Sequence, residues 1–475
     1  MFYRVAVIEL IYSIFIIFML ILSFLICDKH LQFLFVPIFI TFFIFKIFYY
    51  RNLSVLYVTP QFLWLIPTFF YFLIPYIFLN QYLTHKFSFS TINNAIFFLS
   101  ICLIMYNIGT VMTNLFMSII DKKWKRYAIK IKQYKYFNFM FISFIGILAS
   151  MIKLFIIYKE KIIALKRHVS ISGLVYNVLD LLTLLVVFMI YFYLLNHRSL
   201  KSKSYKLIAF FSVTVMLIPD FLYGSKALII IKYFLSYFFI YYIVNRKISI
   251  KLIVISLIAF ISYFPFAIAI RFHKHEIISW MDLLYIYKTG IEFFSLDLLK
   301  HIVGRLNIIG PFIDVFDLSQ YYRDFFLSHY PNNNTLFPLF LMAFIPKILW
   351  KERPETSIGG MLGYSFGFIN SPDESFIATS IFSEFLINFG FYGGIIASFL
   401  LGTLHQFISM YILKKISVSF INIFIYYYFI IFVIILGLQA YFVKTLVIFI
   451  KNCVVFFVLY VIMIKSVKLL GKLKL

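Results

Sequence analysis

Apolar runs of 18 residues or more recur along the chain, and polar residues gather in short clusters between them. A helix of about 20 apolar residues covers the roughly 30 Å of a bilayer's hydrocarbon. The pattern therefore predicts spans near 5–27, 31–49, 61–79, 95–120, 137–158, 173–195, 207–223, 227–244, 251–270, 386–412, 417–437 and 441–464, twelve in all. Barrel strands would show segments of about ten residues alternating apolar with polar, and no such alternation is present. The expected fold class is all-α, a polytopic membrane helix bundle. The opening stretch, MFYRVAVIELIYSIFIIFMLILSFLICDKH, is one long apolar run behind Arg4 without a small-residue cleavage site, and reads as an uncleaved first helix. Between the spans at 207–223 and 227–244, Pro219, Asp220 and Gly224 predict a very tight turn.

One stretch breaks the pattern. Between Arg271 and about Ser380 there is no clean spanning run, and roughly two thirds of the chain's 18 acidic residues lie between Glu276 and Glu384. The chain thus divides into an N-terminal bundle of about nine spans (1–270), one large loop (271–380) and about three C-terminal spans (381–475). Within the loop, residues 277–306 carry apolar positions at helical spacing, as in a helix lying on the membrane face. HYPNNNTLFP (329–338) is a turn-rich linker, and LFPLFLMAFIPKILW is too short to span and fits a re-entrant or interfacial piece. Loops of this length usually carry function.

Charge sets the orientation. The clusters DKKWKRYAIKIKQYK (121–135), NHRSLKSKSYK (196–206), NRKISIK (245–251), Lys414–Lys415 and the tail KSVKLLGKLKL all fall on one side of the twelve-span count. Basic residues collect on the cytoplasmic side, so both termini are expected there and the 271–380 loop outside. KEKIIALKRH (159–168) falls on the other side, as an outer basic patch or as the mark of a miscounted span. The net charge of +25 suggests nucleic acid at first sight, but 63% of the residues are hydrophobic and only 13% charged. No soluble basic domain is available to hold a polynucleotide, so no nucleic-acid partner is expected. Cys27, Cys102 and Cys453 stand far apart with neither metal-ligand spacing nor a disulfide framework.

Three constellations can carry chemistry. In IPKILWKERP (345–354), Lys347 and Lys351 fall one helical turn apart and Arg353 precedes a proline that biases it toward an extended end. Arginine offers a planar fork to phosphate oxygens and lysine a point charge; the structural alternative is a helix whose lysines meet lipid headgroups. Arg271 ends the span FPFAIAIRFHKHE, as an anchor or a further cation; His273 and His275 beside Glu276 make only a weak metal signal, and no metal is expected. Arg305 in HIVGRLNIIG is another candidate cation, or part of an amphipathic surface. In SIFSEFLINFGFYGG, Glu384 and Asn388 lie one turn apart at the outer entry of a span, where a carboxylate is costly unless it faces water or protein. Gly390, Gly394, Ser398 and Gly402 then recur every fourth residue as a small-residue packing stripe. Asp180 and Lys444 read as lone intramembrane charges, either structural pairs or stations of an ion pathway. The sequence has no glycine-rich phosphate loop, no nucleophile elbow and no HExxH, and no cofactor is expected.

The order Arg271, then FIPKILWKERPETSIGG, then SIFSEFLINFGFYGGIIASFLLG resembles the bacterial O-antigen and capsular repeat-unit polymerases. The likeness covers about 250–405 by motif, through Pro-Lys-x-x-Trp-Lys-x-x-Pro followed by Glu-x-x-x-Asn-x-Gly, and the rest by span layout alone. It implies a fold related to the lipid-linked-sugar glycosyltransferases and an inner-membrane location. The implied activity moves a growing glycan from undecaprenyl diphosphate onto a new lipid-linked repeat unit on the outer face. Implied partners are those lipid-linked donor and acceptor glycans, membrane lipids, a chain-length regulator and a flippase. In that chemistry Arg271, Arg305, Lys347, Lys351 and Arg353 bind the substrate diphosphate. Glu384 is the catalytic base, with His273 or His275 behind it, and Asn388 and Gly390 support Glu384. An O-antigen ligase and a lipid-linked oligosaccharide flippase are the competing readings.

Overall fold

The computed structural model describes residues 2–26, 37–42, 44–46, 59–120, 139–163, 171–196, 203–222, 230–245, 307–342, 344–345, 350, 358–367, 370, 379–416 and 420–472. Among them there is no β-strand, as expected where lipid offers the backbone no hydrogen bonds and helices satisfy their own. In chain order the helices are α1 (Phe2–Ile26), α2 (Pro37–Lys46), α3 (Pro60–Leu63), α4 (Ile74–Lys86), α5 (Phe89–Ile120), α6 (Phe139–Ile163), α7 (Ile171–Asn196), α8 (Lys203–Leu222) and α9 (Ser236–Asn245). They continue with α10 (Ile309–Ser328), α11 (Phe337–Met342), α12 (Gly359–Ser365), α13 (Ile381–Ile416), α14 (Phe420–Tyr428) and α15 (Phe442–Lys472). Among the described residues, six apolar stretches are long enough to cross a bilayer: Pro60–Leu79, Phe89–Met117, Phe139–Ile157, Val175–Leu195, Ile381–Leu413 and Phe442–Ser466. Shorter apolar helices stand at Ala6–Ile21, Pro37–Lys46 and Phe420–Ile435. The chain is a helical membrane protein. The expected span at 251–270 and the amphipathic stretch at 277–306 lie outside the described residues.

The expected turn at Pro219 and Asp220 is instead part of a helix, since α8 runs through both residues to Leu222. Proline inside a helix costs about 3 kcal/mol. The next residue, Asp220, is buried and bonded to two lysines.

The chain forms two compact units, each assembled from three separate stretches. The first comprises 1–128, 300–415 and 428–450. Its centre is α5, whose buried face includes Phe98, Cys102 and Tyr106. A Cβ on Gly402 of α13 would collide with the Tyr106 carbonyl, and one on Gly109 with the Phe399 carbonyl. Both positions therefore let the two backbones approach closely. The small-residue stripe of α13 packs on α5 at Gly394, against Phe98, and at Gly402, but Gly390 faces open space. α10 lies within the stretch expected as an outer loop, and it docks on α4 and α5. Phe98 meets Phe312 and Phe316 at ring-centroid distances of 6.2 and 6.0 Å. Lys86 Nζ reaches both Asp314 oxygens, at 2.7 and 2.8 Å. Burial pushes the Asp314 carboxyl above its ordinary range, although Lys86 pulls the other way.

Charge is also buried within this unit. Lys46 Nζ lies 2.6 Å from Glu9 Oε1 and donates to Asn107 Oδ1 at 2.6 Å and to the Gln61 carbonyl. Gln61 Nε2 donates to Glu9 Oε2 at 2.5 Å, and Gln406 Nε2 to Asn114 Oδ1 at 2.7 Å. Asn114 Nδ2 donates to Gln61 Oε1. The network ties α1, α2, α3, α5 and α13 through side chains that have almost no exposed surface.

The second unit comprises 129–299, 416–427 and 451–475. Phe188 of α7 sits among Phe239, Phe420, Phe424 and Tyr427, with ring centroids 5.1–6.3 Å away. Beneath this aromatic cluster two lysines and two aspartates neutralise one another. Lys153 Nζ lies 2.8 Å from Asp180 Oδ1 and 2.5 Å from Asp220 Oδ1. Lys232 Nζ pairs with Asp180 Oδ1 and lies 3.0 Å from Asp220 Oδ2. Of the two readings of Asp180, the structure shows the pair: it meets Lys153 and Lys232, since an unpaired carboxylate inside an apolar bundle is too costly to keep. Lys444, the other residue read as a lone charge, is half-buried near the start of α15.

Removing one member of the quartet leaves an uncompensated buried charge. Lys232→Met is expected to destabilise the protein by about 3–5 kcal/mol. The Asp220→Asn/Lys232→Met pair should lose clearly less than the sum of its single changes. Thermal unfolding of the purified variants in detergent measures both; additive losses would show that the charges are not coupled.

Candidate functional site

α13 starts with a cap that its sequence supplies. Ser380 Oγ accepts the Ser383 N–H at 3.2 Å, as serine does at a helix N-terminus. Glu384 follows in the first turn, where the helix dipole favours a carboxylate. Its side chain has no exposed surface. Oε1 accepts the Thr335 hydroxyl at 3.1 Å, and Oε2 accepts the Phe442 N–H at 2.6 Å. Phe442 is the first residue of α15, so Glu384 satisfies one of the backbone donors that the start of that helix leaves open.

Thr335 arrives by a tight turn. Asn332 and Asn333 hold φ of 56° and 50°, the left-handed region that asparagine tolerates better than most residues. Asn334 Oδ1 then accepts the Leu336 N–H at 2.7 Å. The NNN run of the linker is thus the device that aims Thr335. Asn388, one turn beyond Glu384, completes the node. Its Oδ1 accepts the Thr335 N–H at 2.9 Å, and its Nδ2 donates to Thr335 Oγ1 at 2.8 Å and to the Glu384 carbonyl at 2.7 Å.

Gly390 bends α13 just past this turn, at φ 70° and ψ −170°. That region of backbone space is essentially glycine-only. The helical donors for the carbonyls of Ile387 and Asn388 would lie beyond the bend. Arg323 of α10 takes those carbonyls instead, Nε donating to Ile387 O at 2.6 Å and a terminal guanidinium nitrogen to Asn388 O at 3.1 Å. Among the described residues, Glu384 itself meets no cation.

The structure therefore brings Glu384, Asn388 and Gly390 together. Arg271, His273, His275, Arg305, Lys347, Lys351 and Arg353 lie outside the described residues. Thr335, Arg323 and the Phe442 N–H belong to the node but were not singled out from the sequence. The NNNT run and an arginine on α10 were the available signals, and neither names its partner. The buried charges at Glu9, Lys46, Lys153 and Lys232 were missed as well, although each interrupts or borders an apolar run. Comparison of the chain with family profiles, characterised proteins and solved structures returned no match.

Two substitutions separate the clamp from its charge. Glu384→Ala orphans two buried donors, at about 1–3 kcal/mol each, and should lower thermal stability accordingly. Glu384→Gln keeps an oxygen for the Phe442 N–H but turns an amide donor toward the Thr335 hydroxyl, which loses its acceptor; the loss should be about 1–3 kcal/mol, less than in Glu384→Ala. Equal losses in the two variants would contradict this reading of the node.

Proposed function

We propose that the chain polymerises lipid-diphosphate-linked oligosaccharide repeat units into O-antigen or capsular polysaccharide on the outer face of a bacterial inner membrane. In this reading it has twelve spans, both termini are cytoplasmic and residues 271–380 face the periplasm. The observation that carries the proposal is Glu384, fully buried at the head of α13 and met, among the described residues, by neutral donors. Clamping the start of α15 does not require a charge, since an amide would serve. A carboxylate without a counterion is costly to bury. Such groups are candidates for chemistry when they stand beside a functional segment. Here that segment is the acid-rich stretch, joined to the node through Thr335 and Arg323.

The reaction breaks the bond between the donor's anomeric carbon and a diphosphate oxygen, and forms one from that carbon to an acceptor hydroxyl oxygen. The hydroxyl proton passes to a base, and the diphosphate departs with the electron pair of the broken bond. Glu384 takes the proton in this scheme, with His273 or His275 as the other candidates. Arg271, Arg305, Lys347, Lys351 and Arg353 stabilise the charge that grows on the leaving oxygen as an oxocarbenium-like state forms. Asn388 and Gly390 fix the direction of Glu384. The scheme needs no cofactor. Its partners are the lipid-linked donor and acceptor, with a chain-length regulator and a flippase as associated proteins. An O-antigen ligase would share the donor but attack lipid A core.

A transport reading has its own support. The Glu9–Lys46 pair and the Lys153–Asp180–Asp220–Lys232 quartet place charges inside the apolar helices, as a flippase for the same glycolipid would require.

Arg271→Ala and Arg353→Ala should each lower chain extension on the order of a hundredfold, by analogy with the loss of one transition-state donor. Each variant should insert normally and leave single repeat units on the lipid. Glu384→Gln should fold and yet lose polymer. Full-length glycan from both arginine variants would end the diphosphate clamp, and near-normal polymer from Glu384→Gln would remove it as base. Repeat units trapped on the inner face would favour transport.

A further inference from the structure

A groove of about 590 Å³ opens on the surface of the second unit, between the first halves of α6 and α8. Met140, Ser143 and Phe144 line it from α6, and Leu207, Phe211 and Thr214 from α8. The apolar walls are outward-facing: Phe144 is 59% exposed, Leu207 70% and Phe211 62%. The α6 side belongs to a stretch able to cross the membrane, Phe139–Ile157, so the groove starts where that span starts. Acyl chains fit walls of this kind.

Two further observations bear on the occupant. Ser143 is 3% exposed, and its hydroxyl has no hydrogen-bond partner among the described residues. It stands four residues into α6, about 6 Å along the axis. The segments leading into the two helices are strongly basic. Residues 121–135 hold seven Lys or Arg against Asp121 alone, and 196–206 hold four with no acid. The last of these cations, Lys206, is exposed and directly precedes Leu207. Basic clusters beside a span attract anionic headgroups.

We propose that this groove binds one anionic phospholipid of the leaflet on the basic side. Its chains lie between α6 and α8, and Lys206 meets the phosphate. The site is separate from the Glu384 node and does not rest on the glycan reading.

The full chain, purified in mild detergent, is equilibrated with equal amounts of dioleoyl phosphatidylglycerol and dioleoyl phosphatidylethanolamine and examined by native mass spectrometry. Phosphatidylglycerol should be retained over phosphatidylethanolamine by roughly fivefold, the preference that about one surface cation confers. Lys206→Glu should bring the ratio close to one. Thr214→Trp, which fills the groove from an exposed position, should reduce retention of both lipids. Equal retention of the two lipids by the parent chain would overturn the proposal, as would retention unchanged in both variants. A homodimer that Thr214→Trp dissolves would assign the groove to a second copy of the chain and overturn it too.

Discussion

A carboxylate with no exposed surface must find all its hydrogen bonds within the protein, and the site in this chain is built around one such group. Glu384 takes one donor from the turn at Asn332–Leu336 and another from the first residue of α15. Three segments that are remote in sequence thus meet on two oxygen atoms. Asn388 repeats the attachment to Thr335 one turn further on, and the Gly390 bend then exposes two carbonyls that Arg323 collects. Remove the carboxylate and the acid-rich stretch loses a principal tie to α13.

The same constraint is met differently elsewhere. In a medium of low dielectric constant a lone charge is expensive and a pair is roughly neutral in cost. The second unit answers with two cations against two anions, and the Glu9–Lys46 pair is wrapped in the amides of Gln61, Asn107, Asn114 and Gln406. Both arrangements cancel their own charge. Glu384, in contrast, is met by a hydroxyl and a backbone N–H. That difference, among the described residues, is what the proposed catalytic role rests on.

Much of the architecture was legible because hydrophobic length is a local property. Runs long enough to span became α5, α6, α7, α13 and α15, and the one-turn spacing of Glu384 and Asn388 placed them on one helix as expected. Properties that depend on a distant partner were not legible. Nothing in the periodicity of α13 points to Thr335, and nothing in α10 says that Arg323 will meet carbonyls freed by a glycine bend. Proline at 219 suggested a turn because its local cost is plain, while the lysines that hold Asp220 inside α8 come from other elements. Asp180 looked solitary for the same reason, since Lys153 and Lys232 are 27 and 52 residues away. The interleaving of two units along the chain is likewise a matter of which helices pack together, which apolar runs do not encode.

The proposed function is that of a membrane glycosyltransferase, with its base at the head of α13 and a departing diphosphate met by cations of the adjoining segment. The account is tested most directly by gel electrophoresis of the surface glycan from a strain lacking the chain, beside the same strain carrying it on a plasmid. The account predicts that the long glycan disappears on deletion while single repeat units still reach the core, and that the plasmid restores the ladder. An unchanged ladder, or a core that carries no repeat unit at all, would contradict it.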